Sequence, residues 1–129
     1  ISKIASGGEL SRIMLALKTV LADKDNIPTL IFDEIDTGVS GKTAQKIGFK
    51  LKEVSKNRQV ICVTHLSQIA IMGDNHLLIE KSIHNDRTST SVTKLDHSGR
   101  VNEIARIMNG DNLTSTALKN AEELLNSAN

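Results

Sequence analysis

The chain has 129 residues, 39% apolar and 24% charged, with 16 Lys and Arg against 15 Asp and Glu for a net charge of +1. That is about one domain's worth of core. The near-neutral balance excludes a strongly basic nucleic-acid footprint, the lack of Trp and Tyr leaves only Phe32 and Phe49 and no stacking platform for bases, and no apolar run approaches the roughly 18 residues of a membrane span.

In chain order, Leu10, Ile13, Met14, Leu17, Val20 and Leu21 recur at three- and four-residue spacing, which predicts a helix over about residues 8–24 with that face packed. Asn26 and Pro28 break it. Thr29 to Phe32 is a continuous apolar run, expected to be a parallel-sheet strand buried on both faces. Ala44, Ile47, Gly48, Leu51 and Val54 predict a second helix, and Gln59 to Val63 a second buried strand. Strand, helix, strand of this kind reads as a βαβ crossover. A short helix over Ser67 to Met72 then leads to two strand-like runs, His76 to Ile83 and Thr88 to Leu95. The turn Asn85, Asp86, Arg87 joins them, predicting an antiparallel hairpin appended to the sheet. Ile104, Ile107 and Met108 mark a helix that Gly110 and Asp111 end. Thr114 is placed to cap a last helix carrying Ala117, Leu118, Ala121, Leu124 and Leu125.

Three segments carry candidate chemistry. Ser6-Gly7-Gly8-Glu9 fits a capping box, Ser6 with Glu9, which needs no ligand. Gly7 and Gly8 are poor helix formers, however, and two bare N–H groups at a helix start make an anion site, so both readings stand. Asp33 and Glu34 end the first strand. Acidic pairs at strand ends are commonly just solvated, but ligands of open parallel sheets bind at the carboxyl ends of the strands. Adjacent side chains of an extended segment point apart, which suits Asp33 to hold Mg²⁺ through water and Glu34 to polarise an attacking water. Asp36 is either a metal contact or a loop contact. His65 ends the neighbouring strand; if the strands are adjacent it is expected beside Glu34, within reach of a γ-phosphate oxygen. His76, His84 and His97 read as structural, and Cys62, inside an apolar strand, as a buried small hydrophobe.

The run Asp36 to Thr43 ends in Gly41-Lys42-Thr43 and nearly fits a phosphate loop, but its first glycine position is Asp36. A carboxylate there would face the phosphates. Ser40 is expected simply to cap the following helix.

Together and in this order, Ala5-Ser6-Gly7-Gly8-Glu9, Leu30-Ile31-Phe32-Asp33-Glu34, Ile35-Asp36 and His65 resemble the signature motif, Walker B strand, D-loop and switch histidine of the ABC ATPases. The run Asp33 to Gly41, with Ser6 to Arg12, Val63 to Gln68 and the tail Val101 to Leu125, resembles their SMC-like bacterial DNA-repair branch. The resemblance implies an α/β fold, the parallel-sheet lobe of an ABC/SMC-type P-loop NTPase head with an added β-hairpin and C-terminal helices. It implies one unit, residues 1–129, as the C-terminal half of the head. The Walker A half and coiled-coil arms would be absent from it, in keeping with a start that lacks Met. ATP and Mg²⁺ would be bound, with Asp33 on the metal, Glu34 as general base, His65 as γ-phosphate sensor and Asp36 coupling two sites. Ser6, Gly7, Gly8 and Glu9 would act on the ATP of a second copy of the head. Hydrolysis would release that dimer, in DNA double-strand break repair and recombination, with DNA held mainly by other parts of a cytoplasmic, nucleoid-associated protein and no membrane. This piece alone would be inactive. The competing expectations are a transporter's nucleotide-binding domain, an ATP-gated clamp with incidental hydrolysis, and a self-contained phosphate-loop enzyme using Lys42.

Overall fold

The computed structural model describes residues 6–21, 24, 26–84 and 87–128 of the chain. Asn85 and Asp86 of the expected turn, and Ala5 of the first motif, lie outside the described residues. The chain divides into two units, Ile1–Met72 and Gly73–Asn129.

In the first unit α1 (Gly7–Val20) is followed by β1 (Thr29–Phe32), α2 (Gly41–Val54), β2 (Gln59–Cys62) and the short α3 (Ser67–Ala70). β1 and β2 pair in parallel, Thr29 opposite Gln59 and Phe32 opposite Cys62. The Val63 amide extends the ladder to the Phe32 carbonyl at 2.9 Å, so both strands end side by side. A parallel pair joined through a helix is the βαβ unit that the sequence predicts. The buried apolar positions of α2 are Ala44, Ile47, Gly48, Leu51 and Val54, the five that helical spacing selects. Ile47, Leu51 and Val54 close on Leu30, Phe32 and Ile35, with Leu15 and Ile69 completing the core.

Two expectations are corrected here. β1 alternates in burial, Leu30 and Phe32 inside and Thr29 and Ile31 outside. Its second face is open: Ile31 is 70% exposed and its cross-strand partner Ile61 43%. The period-2 alternation of a strand puts Leu30 and Phe32 on the α2 side, and no described residue covers the other. The second correction is to α1, which turns its apolar stripe outward: Leu10, Ile13, Met14, Leu17 and Val20 are all exposed, and Leu15 alone among its large apolar residues is buried. Its inward face is instead Gly8, Ser11, Arg12 and Leu15. On that inward face Ser11 and Arg12 hydrogen-bond loop carbonyls beyond β1.

In the second unit β3 (Leu77–His84) and β4 (Arg87–Lys94) form an antiparallel hairpin, Ile79 opposite Val92. They make a two-stranded sheet of their own rather than extending the β1-β2 sheet, and Arg87 opens β4 instead of belonging to the turn. α4 (His97–Asn109) starts at Asp96, whose carboxylate accepts the Gly99 amide at 2.7 Å, and stops at Gly110, which takes φ 71°, a left-handed value suited to glycine. α5 (Ser115–Ser127) has the expected Thr114 cap, accepting the Ala117 amide at 3.2 Å. Ile104, Ala117, Ala121 and Leu125 are the buried apolar positions the pattern selects, while Ile107 and Met108 are only partly covered. Burial lowers the pKa of His76, with Arg100 adding to the shift and Glu103 opposing it. No described helix is long and apolar enough to cross a membrane.

Candidate functional site

The three segments meet in the first unit. α1 opens with a full capping box: Ser6 Oγ accepts the Glu9 amide at 3.3 Å, and Glu9 Oε2 accepts the Ser6 amide at 3.0 Å. The first intrahelical bond runs from Leu10 N–H to Ser6 O, and the Gly7 and Gly8 amides have no partner among the described residues. A helix start with two unpartnered N–H groups carries partial positive charge.

Beyond β1 the chain turns sharply. Asp33 Oδ1 accepts the Glu34 amide at 2.8 Å. Glu34 takes φ 57°, a left-handed value that costs a non-glycine residue about 1 kcal/mol or more. The Thr37 amide then closes the turn on Glu34 O at 3.1 Å. This brings residue 34 against the start of α1. A Cβ on Gly7 would overlap the Glu34 carboxylate, and one on Gly8 would lie 2.8 Å from Glu34 O and 3.1 Å from Arg12 Nη1.

The two glycines are therefore not equivalent. At Gly7 the obstacle is the end of a flexible side chain, which can swing away; at Gly8 it is backbone. Gly7→Ala is expected to be neutral, with the helix-propensity gain of up to about 1 kcal/mol offsetting the rearrangement. Gly8→Ala is expected to destabilise by about 1–3 kcal/mol. Urea unfolding of the two variants checks this, and equal effects would refute it.

Asp36 is 4% exposed and points toward β2. Its Oδ2 accepts from Thr64 Oγ1 at 2.7 Å and from the His65 amide at 2.9 Å, and lies 3.0 Å from His65 Nδ1. Burial pushes its pKa up, but the His65 amide, the Thr64 hydroxyl and the His65 ring outweigh burial and hold the carboxyl below its usual range. His65 thus bonds Asp36, not Glu34. The carboxylate fixes Nδ1 and leaves the rest of a largely exposed ring facing out, with Nε2 available to a ligand.

Asp33 is exposed, and only its Oδ1 is engaged. No group of three or more His, Cys, Asp or Glu side chains is assembled for a metal among the described residues. One carboxylate with a free oxygen suits a hydrated Mg²⁺ completed by phosphate oxygens, and does not suit an all-protein cage.

In the near phosphate loop, Ser40 stands at the N-cap of α2 without a side-chain cap bond; only its carbonyl engages the helix, accepting from Thr43 and Ala44. The Asp36 carboxylate is occupied by Thr64 and His65 instead of facing that loop. Cys62 is inert, its thiol pushed up to about 12 by burial first and by Asp36 and Asp33 next. The residues that sequence reasoning passed over are Ser11, Arg12 and Thr64, because side-chain bonds to groups distant in sequence leave no periodic trace.

The fold is similar to one already solved. It superposes on a chain from a structural study of ATP-driven dimerization and DNA-stimulated activation of SMC ATPases with a TM-score of 0.58 at 23% identity, covering 81% of this chain and 63% of that one. In sequence the chain is RecN-like along nearly its whole length. It is 48% identical over 125 residues to the DNA repair protein RecN of Treponema pallidum (strain Nichols) and 47% identical over 128 residues to that of Bacillus subtilis (strain 168). To that of Rickettsia conorii (strain ATCC VR-613 / Malish 7) it is 50% identical over 125 residues. These matches cover 97–99% of this chain and 22–23% of the relatives, so it spans a little over a fifth of their length. No protein-family model matches it.

Proposed function

We propose that the chain is the C-terminal half of the ATPase head of a RecN-like DNA-repair protein, carrying one part of each of two nucleotide sites. The observation that carries this reading is the convergence of the helix start at Gly7, the turn Asp33 to Asp36 at the end of β1 and His65 at the end of β2, with the Glu34 carboxylate against Gly7 and Asp36 accepting the His65 amide. Asp33 holds Mg²⁺ through water, Glu34 takes the proton of the attacking water, and His65, oriented by Asp36, donates to the γ-phosphate. Mg²⁺, when bound, neutralises charge on the phosphates. Ser6, Gly7 and Gly8, capped through Glu9, present a positive helix start to the nucleotide of a second head, and Asp36 links that start to His65 through the loop it anchors.

The phosphate loop and the coiled-coil arms belong to the rest of the longer protein, and the open face at Ile31 and Ile61 supports a further element packed over that side of the sheet. ATP then joins two heads, hydrolysis parts them, and the cycle serves double-strand break repair in the bacterial cytoplasm and nucleoid, with DNA gripped mainly outside this segment. The segment alone does not hydrolyse ATP.

A second reading follows from the Glu34 carboxylate lying over Gly7 of the same chain: both act on one nucleotide in cis. Mixing decides between them. Full-length Ser6→Arg and Glu34→Gln proteins are each expected to be inactive, and mixed in equal amounts to recover roughly a quarter of wild-type turnover, because half the dimers are mixed and each has one complete site. No recovery on mixing, where both variants still bind ATP and dimerise, overturns action in trans and favours the cis reading.

A further inference from the structure

We infer that Arg12 is a positioning residue that locks the Asp36 loop against the first turns of α1, so that the helix start and His65 are held in one register. Arg12 Nη1 donates to two carbonyls, Ile35 O at 3.2 Å and Thr37 O at 2.9 Å, which flank Asp36 on either side. Ser11 Oγ adds a third bond from the same helix to Asp33 O at 2.7 Å. The backbone on both sides of Asp36 thus faces α1 while its side chain faces Thr64 and His65. One short loop is gripped from two directions, and the Ile35 side chain between them is fully buried.

Arg12 also explains the asymmetry of the glycine pair. Gly8 is buried, and a Cβ there would crowd both Glu34 O and the Arg12 guanidinium, so Gly8 makes room for the latch while Gly7 alone faces outward. A guanidinium presents several donors in a rigid plane, and its charge strengthens both bonds to neutral carbonyls. Lysine supplies the charge at a single point on a more flexible stem and is expected to hold the loop only in part.

The effect on turnover rests on the ATPase reading above, whereas the effect on the loop does not. In the full-length protein, Arg12→Ala is expected to lower kcat by at least about tenfold through misplacement of His65, with KM for ATP within about twofold of wild type. Arg12→Lys should fall between the two. By hydrogen exchange without nucleotide, the Thr37 and His65 amides, donors to Glu34 O and Asp36 Oδ2, should lose protection by about tenfold in Arg12→Ala while core amides of α2 keep theirs. Loosened Thr37 and His65 amides in a protein whose wild type hydrolyses no ATP would uphold the latch and overturn the ATPase reading. Unchanged exchange at both amides, or an equal loss of protection throughout α2, would overturn the latch, as would an unchanged kcat in a protein that does hydrolyse ATP.

Discussion

Glu34→Gln in the full-length protein is expected to reduce ATP turnover by about 10²–10⁴-fold, the usual range for losing a general base, while ATP still binds and holds the heads together. The amide keeps the shape of the carboxylate and cannot accept the proton of water. The geometry adds a second, separable effect. The Glu34 carboxylate lies over Gly7, where the helix start would otherwise receive an anion. A phosphate arriving there must displace a like charge, and the neutral amide of the variant removes that repulsion. Dimerisation driven by a non-hydrolysable ATP analogue should therefore need less analogue in the variant than in the wild type, although hydrolysis plays no part in either. Analytical ultracentrifugation across an analogue titration reads this directly. Wild-type turnover would remove Glu34 as the base, and superimposable titrations would remove it as a cover over the helix start.

Ile35→Ala is the substitution expected to cost the most stability, about 2–5 kcal/mol. Ile35 is 0% exposed and packs in the core with Leu15, Leu30, Phe32, Ile47 and Leu51, yet it stands between Glu34 and Asp36. It is the apolar peg on which the loop hangs, so truncation opens a cavity and frees both neighbours. Urea unfolding should show the loss, with Ile35→Val retaining most of the stability at a cost of about 0.5–1.5 kcal/mol. A loss below about 1 kcal/mol for Ile35→Ala would mean that the surrounding side chains collapse into the space and that the loop is held by its polar bonds alone.

What the sequence disclosed depended on whether one interaction decided each element. α2 was legible to the residue because its buried face is set by apolar contact alone, and the Thr114 cap because a single hydrogen bond decides it. α1 misled because its strongest periodic signal, the apolar stripe, stays exposed among the described residues, while the inward face carries Leu15 and the hydrogen bonds of Ser11 and Arg12, the second reaching Thr37 across 25 residues. The strands misled in a different way. Their uniform apolarity predicts a cover on both faces, and among the described residues only one face has it. Within the site, the segments Ser6 to Glu9, Asp33 to Glu34 and His65 were recognisable as motifs. The partner of His65 was not: strand adjacency pointed to Glu34, and the ring bonds Asp36. The choice is made by the turn at Glu34, whose positive φ sends its own side chain toward Gly7 and leaves Asp36 directed at Thr64 and His65.

The outward stripe of α1 has a colloidal consequence. Leu10, Ile13, Met14, Leu17 and Val20 form one adhesive line, and Ile31 with Ile61 forms a second. Against these the chain sets a net charge of only +1, far too little for copies to keep one another at a distance. Its dispersal in water thus depends on whatever shields those two lines.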